Sequence, residues 1–212
     1  MMKIAIVDDH PMVRAGIRLT ISNEEDMEVI GEAGTSREAL ALLSRISADV
    51  LVLDINLPDR SGLDTLRDIV KTQPELPVLI LSIHPEGSVA IRAIKSGASG
   101  FLNKESAPSE LVLALRKLHK GGTYISEGLA DLLVKDVGGR SAAILHDALS
   151  DREYQVMCLL ASGQSIAQIA SLLHRSPNTI STFRARILEK MGMSTNADLT
   201  RYALQNQLIA GG

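Results

Sequence analysis

Cysteine is almost absent from this sequence, which has Cys158 alone among its 212 residues. One cysteine cannot form an intramolecular disulfide, and it argues against a zinc site built on several thiolates. We predict a buried thiol on an apolar helix face, where free cysteine is commonly found. Histidine offers no alternative ligand set, because the five histidines are scattered without metal-ligand spacing on any one helix.

Long apolar runs are absent as well. No stretch of about 18 or more uncharged apolar residues occurs, and the opening MMKIAIVDDH reaches two acids too early for the apolar segment of a signal peptide. We therefore expect a cytoplasmic protein with no membrane partner. The composition, 45% apolar and 22% charged, is typical of a folded globular protein, and the length allows two modest domains.

Strong charge of either sign is lacking overall, since the formal net charge is −3. The distribution is uneven. From Ser150 onward six Lys/Arg oppose four Asp/Glu, which gives +2 there and leaves −5 for the rest of the chain. An acidic N-terminal part joined to a mildly basic C-terminal part suggests a regulatory unit coupled to a unit that binds a polyanion.

The N-terminal part, residues 1–120, alternates short apolar runs with helical patterns. The runs have the near-continuous apolar character of buried parallel strands, and they lie at Lys3–Val7, Glu28–Ala33, Val50–Leu53, Val78–Leu81 and Gly100–Leu102. Apolar residues at helical spacing predict helices after them, at Pro11–Ile21, Ser36–Ile46, Gly62–Thr72, Gly87–Ser96 and Pro108–His119. This alternation predicts an α/β fold, a five-stranded doubly wound parallel sheet with right-handed crossovers.

The remainder lacks strand-like runs and is predicted to contain a second, all-α domain. A glycine-rich stretch with one short amphipathic segment, Leu129–Val134, marks residues 121–148 as a linker. Residues 149–212 then form the second domain, with a capping box at Ser150 and Glu153. Its four predicted helices are Asp151–Ala161, Ile166–His174, Asn178–Met191 and Ala197–Gln207.

Three carboxylates follow predicted strands: Asp8 and Asp9 after the first and Asp54 after the third. They converge on the sheet edge where such folds bind ligands. Their mutual repulsion is tolerable around a hard divalent cation, and Mg²⁺ fits because it accepts few carboxylates and bridges to phosphate oxygens. Ser82 and Lys104, at the ends of the fourth and fifth strands, add a hydroxyl and a cation. The set predicts transfer of a phosphoryl group onto a carboxylate.

The segments IVDDH, LDINLPDRSG and LSIHPEGSVAIRAIKSGASGFLNKE resemble the CheY-type receiver family, and the resemblance covers residues 3 to 120 without a gap. It implies that Asp54 accepts a phosphoryl group from a sensor histidine kinase. It also implies that Lys104 binds the phosphoryl oxygen and that Ser82 and Phe101 are switch residues. A receiver of this kind is not a turnover enzyme. The implied Mg²⁺ ligands are Asp8, Asp9, Asp54 and the main-chain carbonyl of Asn56.

The segment from Leu149 to about Gln207 resembles the helix-turn-helix domain of the NarL/FixJ and LuxR families, which binds promoter DNA. One apolar face followed by a turn, with Pro177 in the first turn of the next helix, agrees with helix-turn-helix spacing. Apolar residues in that next helix, predicted to face the core, are Ile180, Phe183, Ile187 and Met191. The predicted DNA-binding residues are Asn178, Thr179, Ser181, Thr182, Arg184, Ala185, Arg186 and Lys190.

The resemblance places small residues, Ser181, Thr182 and Ala185, toward the bases, so few bidentate base contacts are expected and no target sequence is predicted. Family relatives pair through the last helix. A homodimer on phosphorylation or DNA binding is therefore implied, and its predicted apolar patch is Leu199, Ala203 and Leu204.

Two other functions stay open at this point. A Mg²⁺-dependent phosphohydrolase that forms an aspartyl-phosphate would have a second acid two residues after the nucleophile, where this sequence has Asn56. Repeated turnover of sugar phosphates would identify such an enzyme. An interaction module with a vestigial DNA-binding domain would give no phosphorylation-dependent gel shift on promoter DNA.

Overall fold

The computed structural model describes residues 1–83, 87–137, 145–206 and 208–209. Contacts divide the chain into two compact units, Met1–Val134 and Lys135–Gly212. The five strands of the N-terminal unit are β1 (Met2–Val7), β2 (Met27–Ala33), β3 (Val50–Asp54), β4 (Val78–Ser82) and β5 (Gly100–Asn103). Its helices are α1 (Pro11–Ser22), α2 (Ser36–Leu43), α3 (Gly62–Thr72), α4 (Ser88–Lys95), α5 (Ala107–His119) and the first part of α6 (Glu127–Val137).

The strands form one parallel sheet in the order β2-β1-β3-β4-β5. Helices cover both faces. Residues of α1 and α5 pack on one face, and residues of α2, α3, α4 and α6 pack on the other. The leucine and isoleucine side chains of β1, β3, β4 and β5 are almost fully buried, and each contributes about 1.5–3 kcal/mol through removal of apolar surface from water. The predicted doubly wound α/β fold is confirmed.

The chain reverses between β1 and β3, which are neighbours although β2 lies between them in sequence. Ligand sites in open α/β sheets form beyond the carboxyl ends of the strands at such a reversal. The ends of β1, β3, β4 and β5 therefore lie side by side, and they position the candidate site described below.

The C-terminal unit contains a short 3-10 helix (Leu145–Ala148) and then α7 (Asp151–Ala161), α8 (Ile166–Leu172), α9 (Pro177–Met191) and α10 (Asn196–Gln205). The predicted capping box of Ser150 and Glu153 begins α7, and Gly192 ends α9 in the left-handed conformation with φ of 63°. The 3-10 helix is held against α10 by buried His146, whose Nδ1 lies 2.9 Å from the hydroxyl oxygen of Tyr202.

Helices α2 and α8 end earlier than predicted. The prediction extended α2 to Ile46, but the helix ends at Leu43, where Ser44 donates its hydroxyl to the carbonyl of Ala41 (2.9 Å). The prediction extended α8 to His174, which instead adopts a left-handed φ of 49°. The Arg175 N–H then donates to the Ala170 carbonyl at 2.8 Å and closes the helix end. The predicted end of α10 at Gln207 lies outside the described residues.

Candidate functional site

The sheet brings the predicted acidic residues and Lys104 together. The Nζ of Lys104 donates to Asp8 Oδ2 at 2.6 Å and to Asp54 Oδ2 at 2.8 Å. Both carboxylate side chains are only 1% exposed, and Lys104 is 13% exposed. One ammonium group therefore joins the ends of β1 and β3 to the loop after β5, as the strand-end pattern predicted.

The loop that follows β3 fixes Asp54. The Gly62 N–H donates to the carbonyl of Ile55 at 2.8 Å, which folds the loop back on the end of the strand. A Cβ atom at position 62 would lie 2.1 Å from the Asp54 carbonyl oxygen, so only glycine permits this close approach. Asn56, within the loop, pairs with Ser61 in an isolated β-bridge.

The donor set fits a hard divalent cation. The Oδ1 atom of Asp54 is buried and has no hydrogen-bond partner, which is costly for a carboxylate oxygen. Ligand atoms of Asp8, Asp9, His10 and Asp54 all lie within 4.8 Å of one another. Carboxylate oxygens at this spacing can bind one small cation together. The acidic cluster is therefore compatible with a metal, and Asp54 Oδ1 would be one of its ligand atoms.

The pKa shifts of Asp54 and Lys104 agree with an excess of negative charge at this site. Burial raises the pKa of Asp54, and although Lys104 opposes this, the neighbouring Asp8 adds to it. Burial lowers the pKa of Lys104, but the two carboxylates outweigh burial and that pKa is raised. Each group therefore retains its proton more strongly than usual, and a bound cation would relieve the same imbalance.

The remaining predicted residues of this site lie close by. Ser82, at the end of β4, is fully buried, and its carbonyl accepts the Lys104 backbone N–H at 2.8 Å. Phe101 is 1% exposed and belongs to the core on the face covered by α4 and α6. A backbone hydrogen bond therefore joins Ser82 to Lys104. Phe101 lies on β5, three residues before Lys104 in the sequence.

Sequence reasoning missed two residues here. His10, which we assigned to no cluster, places Nδ1 at 2.6 Å from Asp9 Oδ1 and donates its backbone N–H to Asp8 Oδ1 at 2.8 Å. Arg14 donates to the Asp8 carbonyl at 2.6 Å and also pairs with Glu32. The signal for His10 was its position directly after the two acids, whereas Arg14 required the orientation of α1.

In the C-terminal unit, α8 and α9 are consecutive helices joined by a short turn, as the helix-turn-helix spacing predicted. The Ser176 hydroxyl accepts the Thr179 N–H at 3.1 Å and caps α9, with Pro177 in its first turn. Of the apolar residues predicted inside, Phe183 is only partly buried, whereas Ile180, Ile187 and Met191 are buried. The exposed members of the predicted DNA-binding set are Asn178, Ser181, Thr182, Ala185, Arg186 and Lys190.

The cations of this helix differ in their freedom to reach a partner. Lys190 Nζ lies 2.6 Å from the carboxylate of Glu153, and Arg184 donates through Nε to the Asn196 side chain at 2.7 Å. Within the described part of the chain, the exposed Arg186 has no hydrogen-bond or ion-pair partner. Thus Arg186 is the α9 cation whose guanidinium is unengaged.

The predicted dimer patch requires a correction. Leu199 and Ala203 are 0% exposed and pack inside the four-helix unit, because α10 presents them to α7 rather than to solvent. The prediction of a surface patch is therefore wrong for these two residues. Leu204 is 44% exposed and is the member of the set available to another molecule.

The Glu153–Lys190 pair gives a pH-dependent prediction. Burial raises the pKa of Glu153, but Lys190 and the Ser150 N–H outweigh it and leave the pKa below its ordinary value of 4.5. The ionised Glu153 carboxylate therefore stabilises the folded state above that value, and this stabilisation is lost as pH falls through the pKa of Glu153 in the folded state. Glu153→Gln should lower the free energy of unfolding at pH 7 by about 1 kcal/mol, since partly exposed Lys190 is screened.

Urea unfolding followed by circular dichroism measures this, because the chain has no tryptophan for fluorescence. The variant and the parent should unfold alike at a pH below the lowered pKa of Glu153. Glu189→Gln, which changes an exposed glutamate on the same helix as Lys190, is the matched control and should have little effect. An equal loss of stability at both pH values would contradict the assignment.

Comparison with known proteins decides the family. The sequence profile described as "Response regulator receiver domain" matches residues 4–116, and the profile "Bacterial regulatory proteins, luxR family" matches residues 147–203. The chain belongs to the response regulators. This response regulator carries a receiver domain and a LuxR-type DNA-binding domain, so the predicted NarL/FixJ-type identity is confirmed.

Relatives match this response regulator along almost its whole length. Response regulator UvrY of Escherichia coli (strain K12) is 30% identical over 209 residues, which are 98% of this chain and 96% of UvrY. Transcriptional regulatory protein UhpA of Salmonella typhimurium (strain LT2) is 37% identical over 199 residues, covering 94% of this chain and 96% of UhpA.

Solved structures agree. The response regulator RcsB of Salmonella typhimurium matches with a TM-score of 0.62 and 28% identity, over 96% of this chain and 100% of that one. A structure described as the two-component response regulator RcsB-DNA complex matches with a TM-score of 0.59 and 28% identity, over 96% and 98%. None of the helices in the described part of the chain reaches the length and hydropathy that a membrane span requires.

Proposed function

We propose that a sensor histidine kinase transfers a phosphoryl group to Asp54, and that this modification controls binding of the protein to promoter DNA in the cytoplasm. The observation that carries the assignment is the environment of Asp54. Its Oδ1 is buried without a hydrogen-bond partner, and its Oδ2 accepts the Lys104 ammonium at 2.8 Å. A carboxylate held in this way presents one oxygen as a nucleophile or metal ligand and has a cation beside it.

We assign Mg²⁺ binding to the carboxylates of Asp8, Asp9 and Asp54 and to the main-chain carbonyl of Asn56. Bound there, Mg²⁺ would supply positive charge against the phosphoryl oxygens. Lys104 neutralises a further oxygen of the transferred group, and it leaves the Asp54 carboxylate to do so. Ser82 and Phe101 then respond to the new charge as switch residues, since both lie on strands that adjoin Lys104.

For the DNA-binding domain we propose that α9 enters the major groove and that the protein binds as a homodimer. The exposed residues of α9 support this, and so does the match to the RcsB-DNA complex. Leu204 of α10 is the proposed apolar contact between copies. We propose domain boundaries of 1–120 for the receiver, 121–148 for the linker and 149–212 for the DNA-binding domain.

The test is to incubate the full chain with acetyl phosphate and Mg²⁺. We expect mass spectrometry to show a single phosphoryl group per chain, a chelator to prevent it, and phosphorylation to increase the gel shift of promoter DNA. Continued release of phosphate from sugar phosphates would instead establish the phosphohydrolase. Labelling without any change in DNA affinity would reject the proposed control of transcription.

A further inference from the structure

The chain does not leave the receiver when α5 ends. Tyr124 pairs with Gly100 of β5 in an isolated parallel β-bridge: the Phe101 N–H donates to the Tyr124 carbonyl at 2.9 Å, and the Tyr124 N–H donates to the Ser99 carbonyl at 3.1 Å. The following residues continue into α6. We call residues 122–133 the latch, because this segment pairs with the β5 edge of the sheet and comes before the DNA-binding domain in the sequence.

The fit between the latch and β5 is specific. A Cβ atom at Gly100 would lie 2.9 Å from the Tyr124 carbonyl oxygen, so glycine is needed for the two backbones to approach this closely. The Tyr124 hydroxyl donates to the Glu110 carboxylate at 2.6 Å, and the Lys117 ammonium lies 5.8 Å from the centre of its ring. Side chains of α5 therefore hold the latch in register with β5.

The helical end of the latch is anchored in the core. Leu129 is 0% exposed and belongs to the same buried cluster as Phe101, and Ile125 and Leu133 pack against that cluster. The side chain of Ser126 accepts the Leu129 N–H at 3.0 Å and fixes the start of α6. By contrast, Val134, one residue beyond the latch, is 72% exposed.

The strand that the latch covers also connects to the phosphorylation site. Phe101 binds the latch through its backbone N–H, and Lys104, three residues on, binds Asp8 and Asp54 through Nζ. A phosphoryl group on Asp54 would move the Lys104 ammonium from Asp54 Oδ2 to an oxygen farther from β3. Because β5 has only four residues, a shift at its end reaches Phe101 within about 10 Å of chain.

We propose that the latch is the output element of the receiver: phosphorylation shifts β5, weakens the Phe101–Tyr124 pairing and loosens α6, and this raises the DNA affinity of the chain. The inference rests on the proposed function and deepens it, since it names the segment through which Asp54 acts. Loosening is a change in the population of a locally opened state, which amide hydrogen exchange measures directly.

The experiment measures amide exchange by mass spectrometry in the full chain, before and after acetyl phosphate and Mg²⁺. We expect residues 99–104 and the latch to exchange about fivefold faster after phosphorylation, with β1 and β2 unchanged. Leu129→Ala should give the fast latch exchange without phosphorylation and increase DNA affinity. Val134→Ala is the matched control on the same helix and should change neither.

The outcomes separate this inference from the proposed function. If the chain carries the phosphoryl group but amide exchange in the latch is unchanged, the proposed role of the latch is rejected and the proposed function still stands. Such a result would mean that the latch is a static part of the fold. A chain that gains no phosphoryl group would overturn both. If Leu129→Ala fails to fold, the wild-type comparison still decides, because it uses no variant.

Discussion

Replacement of Asp54 by Asn is expected to abolish labelling by acetyl phosphate. Asp54 combines a buried, unpartnered oxygen with an adjacent ammonium group. Asp8 is more fully engaged, because it binds Lys104 and the His10 N–H, and Asp9 lies 2.6 Å from His10 Nδ1 and is not bonded to Lys104 in this way. An amide at position 54 removes the nucleophilic oxygen and keeps the shape. We therefore expect the phosphoryl mass shift to disappear completely.

The matched control is Asp59→Asn, which changes an acid in the loop after β3. Asp59 accepts the backbone N–H groups of Ser36 (2.9 Å) and Arg37 (3.1 Å) at the start of α2. Asparagine can keep one of these two acceptor oxygens and loses the other, but Asp59 is not one of the clustered acids around Asp54, so this variant should still label normally. A phosphoryl group that persists in Asp54→Asn, or a label that a chelator does not reduce, would show that another residue is the acceptor.

Arg186→Ala should weaken DNA binding more than the same change at Lys190 or Arg184. Its guanidinium is exposed and unengaged among the described residues, whereas Lys190 and Arg184 are held by Glu153 and Asn196. Each phosphate contact contributes a slope of about 0.9 in log affinity against log salt. If two copies bind together, the substitution removes one phosphate contact from each, and the slope of log affinity against log salt falls by about 1.8. At 0.1 M salt this corresponds to about a sixtyfold loss of affinity.

The salt dependence distinguishes a dimer from a monomer. A single bound copy would lose a slope of about 0.9 and only about eightfold in affinity. Arg201→Ala is the control, because Arg201 is an exposed arginine on α10 that pairs with Asp198. An unchanged slope in Arg186→Ala would mean that this side chain does not contact phosphate.

The sequence predicted the sheet well because buried parallel strands are short and continuously apolar. It placed Asp8, Asp54 and Lys104 at one edge for the same reason, since parallel strands end on the same side of a sheet. Helix ends were less predictable. His174 adopts a left-handed φ of 49°, which periodicity cannot reveal, so α8 is shorter than its apolar pattern suggested.

The sequence alone could not show which side chains pair with each other. The spacing of α9 correctly placed Arg186 on the exposed side, and the resemblance assigned Lys190 to DNA contact. Neither could show that Glu153, on another helix, pairs with Lys190. The prediction of the dimer patch was wrong for a similar reason. Apolar residues on α10 fit an interface or the core of their own domain, and only the packing against α7 shows that Leu199 and Ala203 belong to the core.

The strand-like pairing of Tyr124 also bears on aggregation. A parallel sheet has two edges whose unpaired backbone groups can recruit strands from other molecules. At one edge of this sheet β2 carries Glu28 and Glu32, whose charges discourage such pairing. At the other edge the chain covers β5 with its own backbone. That cover is tethered, so it returns at a high effective concentration and competes well with strands from neighbouring molecules.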